Sequence, residues 1–162
     1  MKINDTIKFK GRLEIFERKA GEKDWELIRD VPNLITNVGY NCIADLLTGE
    51  GTYASTSFGY FAWGDGTTTP ALTDTATTFY ADCSNNDTKA VESVDSFSLG
   101  EKKQVWNCFL STADNDVSSI TKFALMNALV GTVMLNEVKF DAISKDATKE
   151  FFFRYSLTMN QA

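Results

Sequence analysis

The chain has 162 residues, of which 43% are hydrophobic, 12% aromatic and 23% charged, with a net charge of −6 and no histidine. One hydrophobic core serves roughly 100–200 residues, so this length predicts a single domain, and the apolar fraction excludes overall disorder. Without histidine, Ser-His-Asp and Cys-His triads, His-ligated zinc and imidazole proton shuttles are excluded within the chain.

The first residues, Met1 to Thr6, are hydrophilic and predict a short arm with no apolar signal core. No run approaches the roughly 18 apolar residues of a membrane span. Ile7, Phe9, Leu13 and Ile15 then alternate with Lys8, Lys10, Arg12 and Glu14, a period of two that predicts a strand with one wet face. A polar turn at Lys19–Asp24 leads to Trp25, Leu27 and Val31, which alternate with Glu26 and Asp30, so the two runs predict a hairpin. The basic residues here (Lys8, Lys10, Arg12, Arg18, Lys19, Lys23) are interleaved with Glu14, Glu17 and Glu22, which fits a solvated face rather than a nucleic-acid groove. Tyr40, Ile43, Ala44 and Leu47 follow at helical spacing, with Asn37 as the expected N-cap and Gly49 at the C-terminal end.

Residues 48–57 are small and polar and read as a loop. Phe58–Trp63 is an aromatic strand that stops at Gly64-Asp65-Gly66. The Thr-rich stretch 67–78, with Pro70 inside it, predicts an extended loop, and 82–90 a turn-rich stretch. Further strands are predicted at 91–99, 103–112, 118–126, 132–140 and 150–159; the last places Phe151, Phe153, Tyr155, Leu157 and Met159 on one face. The fold class is mainly β, an antiparallel β-sandwich or flattened barrel of about seven to eight strands with one short helix.

Several local patterns invite chemical readings. Gly64-Asp65-Gly66-Thr67 lacks the Gly-Lys-Ser/Thr of a phosphate loop and opens no helix, so a tight turn explains it better. Asp114-Asn115-Asp116 alternates oxygen ligands but lacks the later glycine and glutamate of a calcium loop. Asp65, Asp74, Asp82 and Glu92 are the acids available to a carboxylate pair, and all lie in turn-rich segments. Cys42, Cys83 and Cys108 are too scattered for a zinc site or a disulfide framework, and Cys108 sits in an apolar run that predicts an inert buried thiol. Asn4-Asp5-Thr6 and Asn86-Asp87-Thr88 match the glycosylation pattern by chance. Among the aromatics, Tyr53 and Tyr80 lie in or near loops and are the candidates for contact with a partner or a sugar.

Three segments in order carry a resemblance. Asn33-Leu34-Ile35-Thr36-Asn37-Val38-Gly39 leads into the helix. Gly64-Asp65-Gly66-Thr67-Thr68-Thr69-Pro70 ends the aromatic strand and precedes Leu72-Thr73-Asp74-Thr75-Ala76. Ile120 to Asn127, Gly131-Thr132-Val133-Met134-Leu135 and Phe140 to Lys145 then precede the closing strand. This series resembles small structural proteins of tailed bacteriophages and the attachment modules at the start of some tail fibres, in which "NLITNxG", "GxGTTxPxxxDTAL" and "GTMLxxxxFxAIxK" recur in this order. The chain departs from the pattern at Thr77-Thr78-Phe79-Tyr80, where Leu-x-x-Glu is common, and at Lys122 and Ala124, where Glu and Gly are common.

The resemblance implies a non-enzymatic virion protein without metal or cofactor, first an auxiliary or decoration protein of the capsid. The alternatives are a tail component (tube, collar or fibre-attachment module) or a glycan-binding module for host attachment. The implied partners are major capsid or tail proteins and further copies of the chain, with a host glycan in the last case, and neither specific nucleic-acid binding nor membrane contact. The arm and the loop 64–82 are expected to reach neighbours, with Ile3, Tyr53, Asp65, Thr67, Pro70 and Tyr80 as contact residues.

Overall fold

A computed structural model describes residues 7–98, 102–114, 119–129 and 133–161. Among them are nine strands and two helices in chain order. These are β1 (Ile7–Lys19), β2 (Glu26–Ile35), α1 (Asn37–Thr48), β3 (Tyr60–Gly64), α2 (Ala76–Asp82), β4 (Asn86–Ala90), β5 (Ser93–Ser98), β6 (Lys103–Leu110), β7 (Ile120–Met126), β8 (Met134–Ile143) and β9 (Lys149–Gln161). All nine strands join one antiparallel sheet in the order β4-β3-β7-β8-β2-β1-β9-β6-β5.

That sheet curls on itself. β4 and β5 lie at opposite ends of the strand order, yet only Val91 and Glu92 separate them in the chain. The two edges therefore meet at one corner, where Glu92 N donates to Asn107 O (2.9 Å) and Lys89 Nζ to Phe109 O (2.6 Å). The other bend falls in β2, which pairs with β1 from Glu26 to Asn33 but with β8 only at Leu34 and Ile35. Pro32, with no N–H to give, sits beside this change of partner. Where β2 and β8 splay apart, Arg29 Nε donates to Asp141 O at 3.1 Å and bridges the gap.

Curling brings the inner faces of the two halves together. Phe61, Trp63 and Phe123 from β3 and β7 meet Phe153 and Tyr155 from β9, with Phe123–Phe153 centroids 5.9 Å apart and Trp63–Phe153 6.3 Å. Leu13 and Ile15 of β1 and Phe151, Phe153 and Tyr155 of β9 are buried, as their alternation predicts. On the outside of β1, β6 and β9, Phe16, Phe109 and Phe152 gather around Trp25, and the Arg18 guanidinium lies 4.3 Å above the Trp25 ring.

The structure corrects five details of the sequence reading. Among the described residues the strands number nine, in one continuous curled sheet, and the helices number two. The N-cap of α1 is Thr36, whose hydroxyl accepts from Gly39 N at 3.0 Å, while Asn37 N donates to Leu72 O at 2.8 Å. Tyr40, Leu46 and Leu47 of α1 are exposed, and the helix instead buries Gly39 and Cys42. Part of the stretch expected to be an extended loop forms α2, because Thr75 and Thr78 close a reciprocal capping box. Finally, residues 86–90 are a strand, since β3 offers its free edge to them.

A loop anchored on a buried lysine

The loop from Gly64 to Thr75 and the helix α2 form a second layer over the outer face of β3, β7 and β8. Phe79 and Ala76 of α2 pack with Ala62, Ala124, Met126 and Met134, the side chains that alternate with the inner core. Cys83 follows directly on α2 and joins this cluster. Gly64 and Gly66 are needed for this approach. A Cβ on Gly64 would stand 2.7 Å from Cys83 Sγ, and one on Gly66 would stand 2.3 Å from Asp82 Oδ2 and 2.6 Å from Lys122 Cδ. Close packing, and not left-handed backbone, explains both glycines.

Beneath this layer lies Lys122, 1% exposed. Its Nζ meets Glu137 Oε1 at 2.6 Å, Asp82 Oδ2 at 2.8 Å and Thr68 Oγ1 at 2.9 Å. An ammonium has three protons, so all three are used. Thr68 N also donates to Asp82, 3.2 Å from Oδ2. Thr121 Oγ1 donates to Gly66 O at 2.6 Å, and Lys139 Nζ to Thr67 O. One lysine thus ties the loop at Thr68, the end of α2 at Asp82 and the sheet at Glu137.

The charges in this cluster are not symmetric. Burial alone would raise the Asp82 carboxyl, but hydrogen bonds from Lys122 and Thr68 hold it down to about 2. Burial disfavours the Lys122 ammonium, but hydrogen bonds to Asp82 and Glu137 outweigh it and raise its pKa. Glu137 moves the other way. Burial pushes its carboxyl up against the pull of Lys122, and the neighbouring Asp74 carboxyl adds to the rise. Glu137 Oε2 is buried with no hydrogen-bond partner.

The expected contact residues fall at separate places around this layer. Thr67 is exposed, and Pro70 is half-buried beside Pro32, Leu34 and Thr69 in a groove of about 470 Å³. Asp65 is a turn staple, accepting from Asn85 N at 2.9 Å and Asn85 Nδ2 at 2.7 Å, and these bonds lower its pKa. Tyr80 is half-buried against Phe79, its hydroxyl 3.1 Å from Thr88 Oγ1. Tyr53 is half-buried in a different region, its N–H donating to Asp45 at 3.0 Å. Ile3 and the Asn4 glycosylation match lie outside the described residues.

The other chemical patterns resolve into structural roles. Asp114 accepts from Ser111 N (2.6 Å) and Lys89 Nζ (3.0 Å), while Asn115 and Asp116 lie outside the described residues. Among the described residues no cluster of Cys, Asp and Glu is arranged to hold a metal ion. The three cysteines are free and buried, and burial pushes the thiols up to about 11 at Cys42 and Cys83 and about 12 at Cys108. Of the four acids weighed for a catalytic pair, Asp65 and Asp82 are bound as above, Asp74 accepts from Ala71 N at 2.6 Å, and Glu92 lies 3.6 Å from Lys89. Among the described residues no helix is long and apolar enough to cross a membrane.

The sequence marked Lys122 only as a departure from the resembled pattern, and Glu137 was not singled out. The available signal was a charged side chain within the otherwise apolar β7, Lys122 at the two-residue spacing of Ala124 and Met126. No family model, no curated protein and no solved structure matches the chain.

Proposed function

We propose that the chain is a non-enzymatic structural protein of a tailed-phage virion, an auxiliary capsid protein that docks on neighbouring subunits. The observation that carries this reading is the anchored loop. A segment rich in Thr and Gly would cost conformational entropy when it met a partner. Here Lys122, Lys139 and Thr121 fix it in advance, and Thr67 and Leu72 remain at the surface. Such preorganisation serves binding. α1 adds Leu46 and Leu47, exposed apolar residues that a subunit contact would cover. In this reading the curled sheet is a flattened barrel that carries the loop, and repeated copies add avidity on a symmetric particle.

Mass spectrometry and cryo-electron microscopy of purified particles test it. The expected result is this chain at fixed stoichiometry on the capsid surface, with incorporation lost in Leu72→Asp and retained in Lys23→Asp. Absence from purified virions overturns the reading. Rings or tubes of the isolated protein would move it to the tail. A second reading, a glycan-binding module, draws on the groove of about 430 Å³ where Tyr80 stands beside Asn86, Asp87, Thr88 and Leu129. Glycan-array binding abolished by Tyr80→Ala would favour that module.

A further inference from the structure

We infer that Lys122 and Asp82 become joined by an amide bond within the folded chain, with Glu137 as the proton relay. Both carboxyls are within hydrogen-bond distance of one amine, Nζ lying 2.8 Å from Asp82 Oδ2 and 2.6 Å from Glu137 Oε1. Side-chain exposure is 1% for Lys122 and Glu137 and 12% for Asp82. Gly66 leaves open the space in which the lysine stem and the Asp82 carboxylate meet.

Two charges withdrawn from water carry a large desolvation cost, and an amide removes both charges at once. The step balances without an oxidant or an added reagent. A proton passes from Nζ to Asp82 Oδ2 across their 2.8 Å contact, an uphill step against the ion pair that gives an amine and a carboxylic acid. Nζ then attacks Cγ, and the C–N bond forms as the C–O bond to the departing hydroxyl breaks. The second proton from Nζ travels through Glu137 to that hydroxyl, which leaves as water, and Glu137 ends as it began. Glu137 suits this relay because its Oε1 touches the nucleophile at 2.6 Å while its Oε2 is buried with no hydrogen-bond partner and is free to hold the proton in transit. Thr68 N–H reaches both carboxyl oxygens, 3.3 Å from Oδ1 and 3.2 Å from Oδ2, so it remains beside Oδ1, the oxygen that gathers negative charge as the Oδ2 hydroxyl departs.

The link would bind the end of α2 to the middle of β7 and close a loop that contains β4, β5 and β6. The loop 64–82 would then be fastened by a bond that survives unfolding.

Mass spectrometry of the whole purified protein, denatured and reduced, is the test. The expected mass is that of the sequence less one water. Trypsin, blocked at the acylated Lys122, should give residues 30–89 joined to residues 104–139 as one branched peptide. Lys122→Arg should return the sequence mass, and Glu137→Gln should lower the linked fraction at least tenfold in freshly made protein. Wild-type protein at the full sequence mass, with residues 104–122 released as a free peptide, overturns the inference. So does a water loss confined to the 30–89 peptide alone, which would mark imide formation at Asp65-Gly66. The wild-type measurement decides the matter even where a variant fails to fold.

Discussion

Replacing Gly39 with alanine sets two ordinary effects against each other. Within a helix the exchange gains up to about 1 kcal/mol in propensity, because glycine loses more backbone freedom on folding. At this site the added Cβ would stand 2.1 Å from the carbonyl oxygen of Leu135 in β8. The closest ordinary carbon–oxygen contacts are about 3.3 Å, so α1 would have to retreat by roughly 1 Å. The obstruction is backbone in the middle of a sheet and has no rotamer to escape into. The same retreat pulls on Thr36, whose N–H donates to Leu135 O at 3.1 Å and whose hydroxyl donates to Met134 O at 2.8 Å. Overpacking costs about 1–3 kcal/mol and each weakened hydrogen bond about 0.5–1.5 kcal/mol. The expected net is a loss of about 1–5 kcal/mol, or roughly 2–20 °C in Tm for a domain of this size. Urea unfolding of Gly39→Ala against wild type measures it. Equal or higher stability of the variant would refute the reasoning, for the propensity gain would then have won.

Three further outcomes are expected. Gly49→Ala should cost only about 1 kcal/mol in the same assay, since its φ of 71° strains an L-residue but nothing lies within 4 Å of the new Cβ. Phe153→Ala should cost about 3–5 kcal/mol, because its ring is wholly buried between Trp63, Phe123 and Phe151, and chemical denaturation would show the midpoint fall. The Asp114 carboxyl feels burial upward, but hydrogen bonds from Lys89 and Ser111 outweigh this and hold it below its usual value of 3.8. A depressed carboxyl stabilises the fold above its unfolded pKa and loses that contribution as pH falls through the folded one. Stability followed from pH 5 downward should therefore fall less steeply in Asp114→Asn than in wild type, and parallel curves would contradict the assignment.

The alternation of β1 and β9 was legible because each strand buries one face and wets the other, which is the pattern that period-two reading detects. The α1 helix was legible as a helix but not in its orientation. Its hydrophobic stripe at Tyr40 and Leu47 is exposed, while the close approach belongs to Gly39, a residue that hydropathy ignores. α2 was missed because its formation depends on a two-residue hydroxyl cap and on Phe79 finding a surface made by three distant strands. A curled sheet was within the expected sandwich or flattened barrel, but how its edges meet was not legible, since the two-residue link between β4 and β5 reads locally as one more turn. Pro70 and Thr67 were placed correctly in a surface loop, but what holds that loop is a lysine some fifty residues further along the chain. Only the pairing of Gly64 with Lys122 across β3 and β7 brings the two together.

The pairing of β1 with β9 has a consequence for how the protein comes to be made. Ile7 lies opposite Gln161 and Lys19 opposite Lys149, so β1 takes as its partner in the middle of the sheet a strand made only after the seven between them, β2 to β8. Loop closure across nearly the whole chain precedes that reward, which favours slow folding. Until β9 emerges, the outward-facing Phe16 and the inward-facing Leu13 and Ile15 of β1 wait beside an open ladder. At high concentration a neighbouring copy's β9 offers the same edge, so quick completion of the central pair guards against exchange of strands between copies.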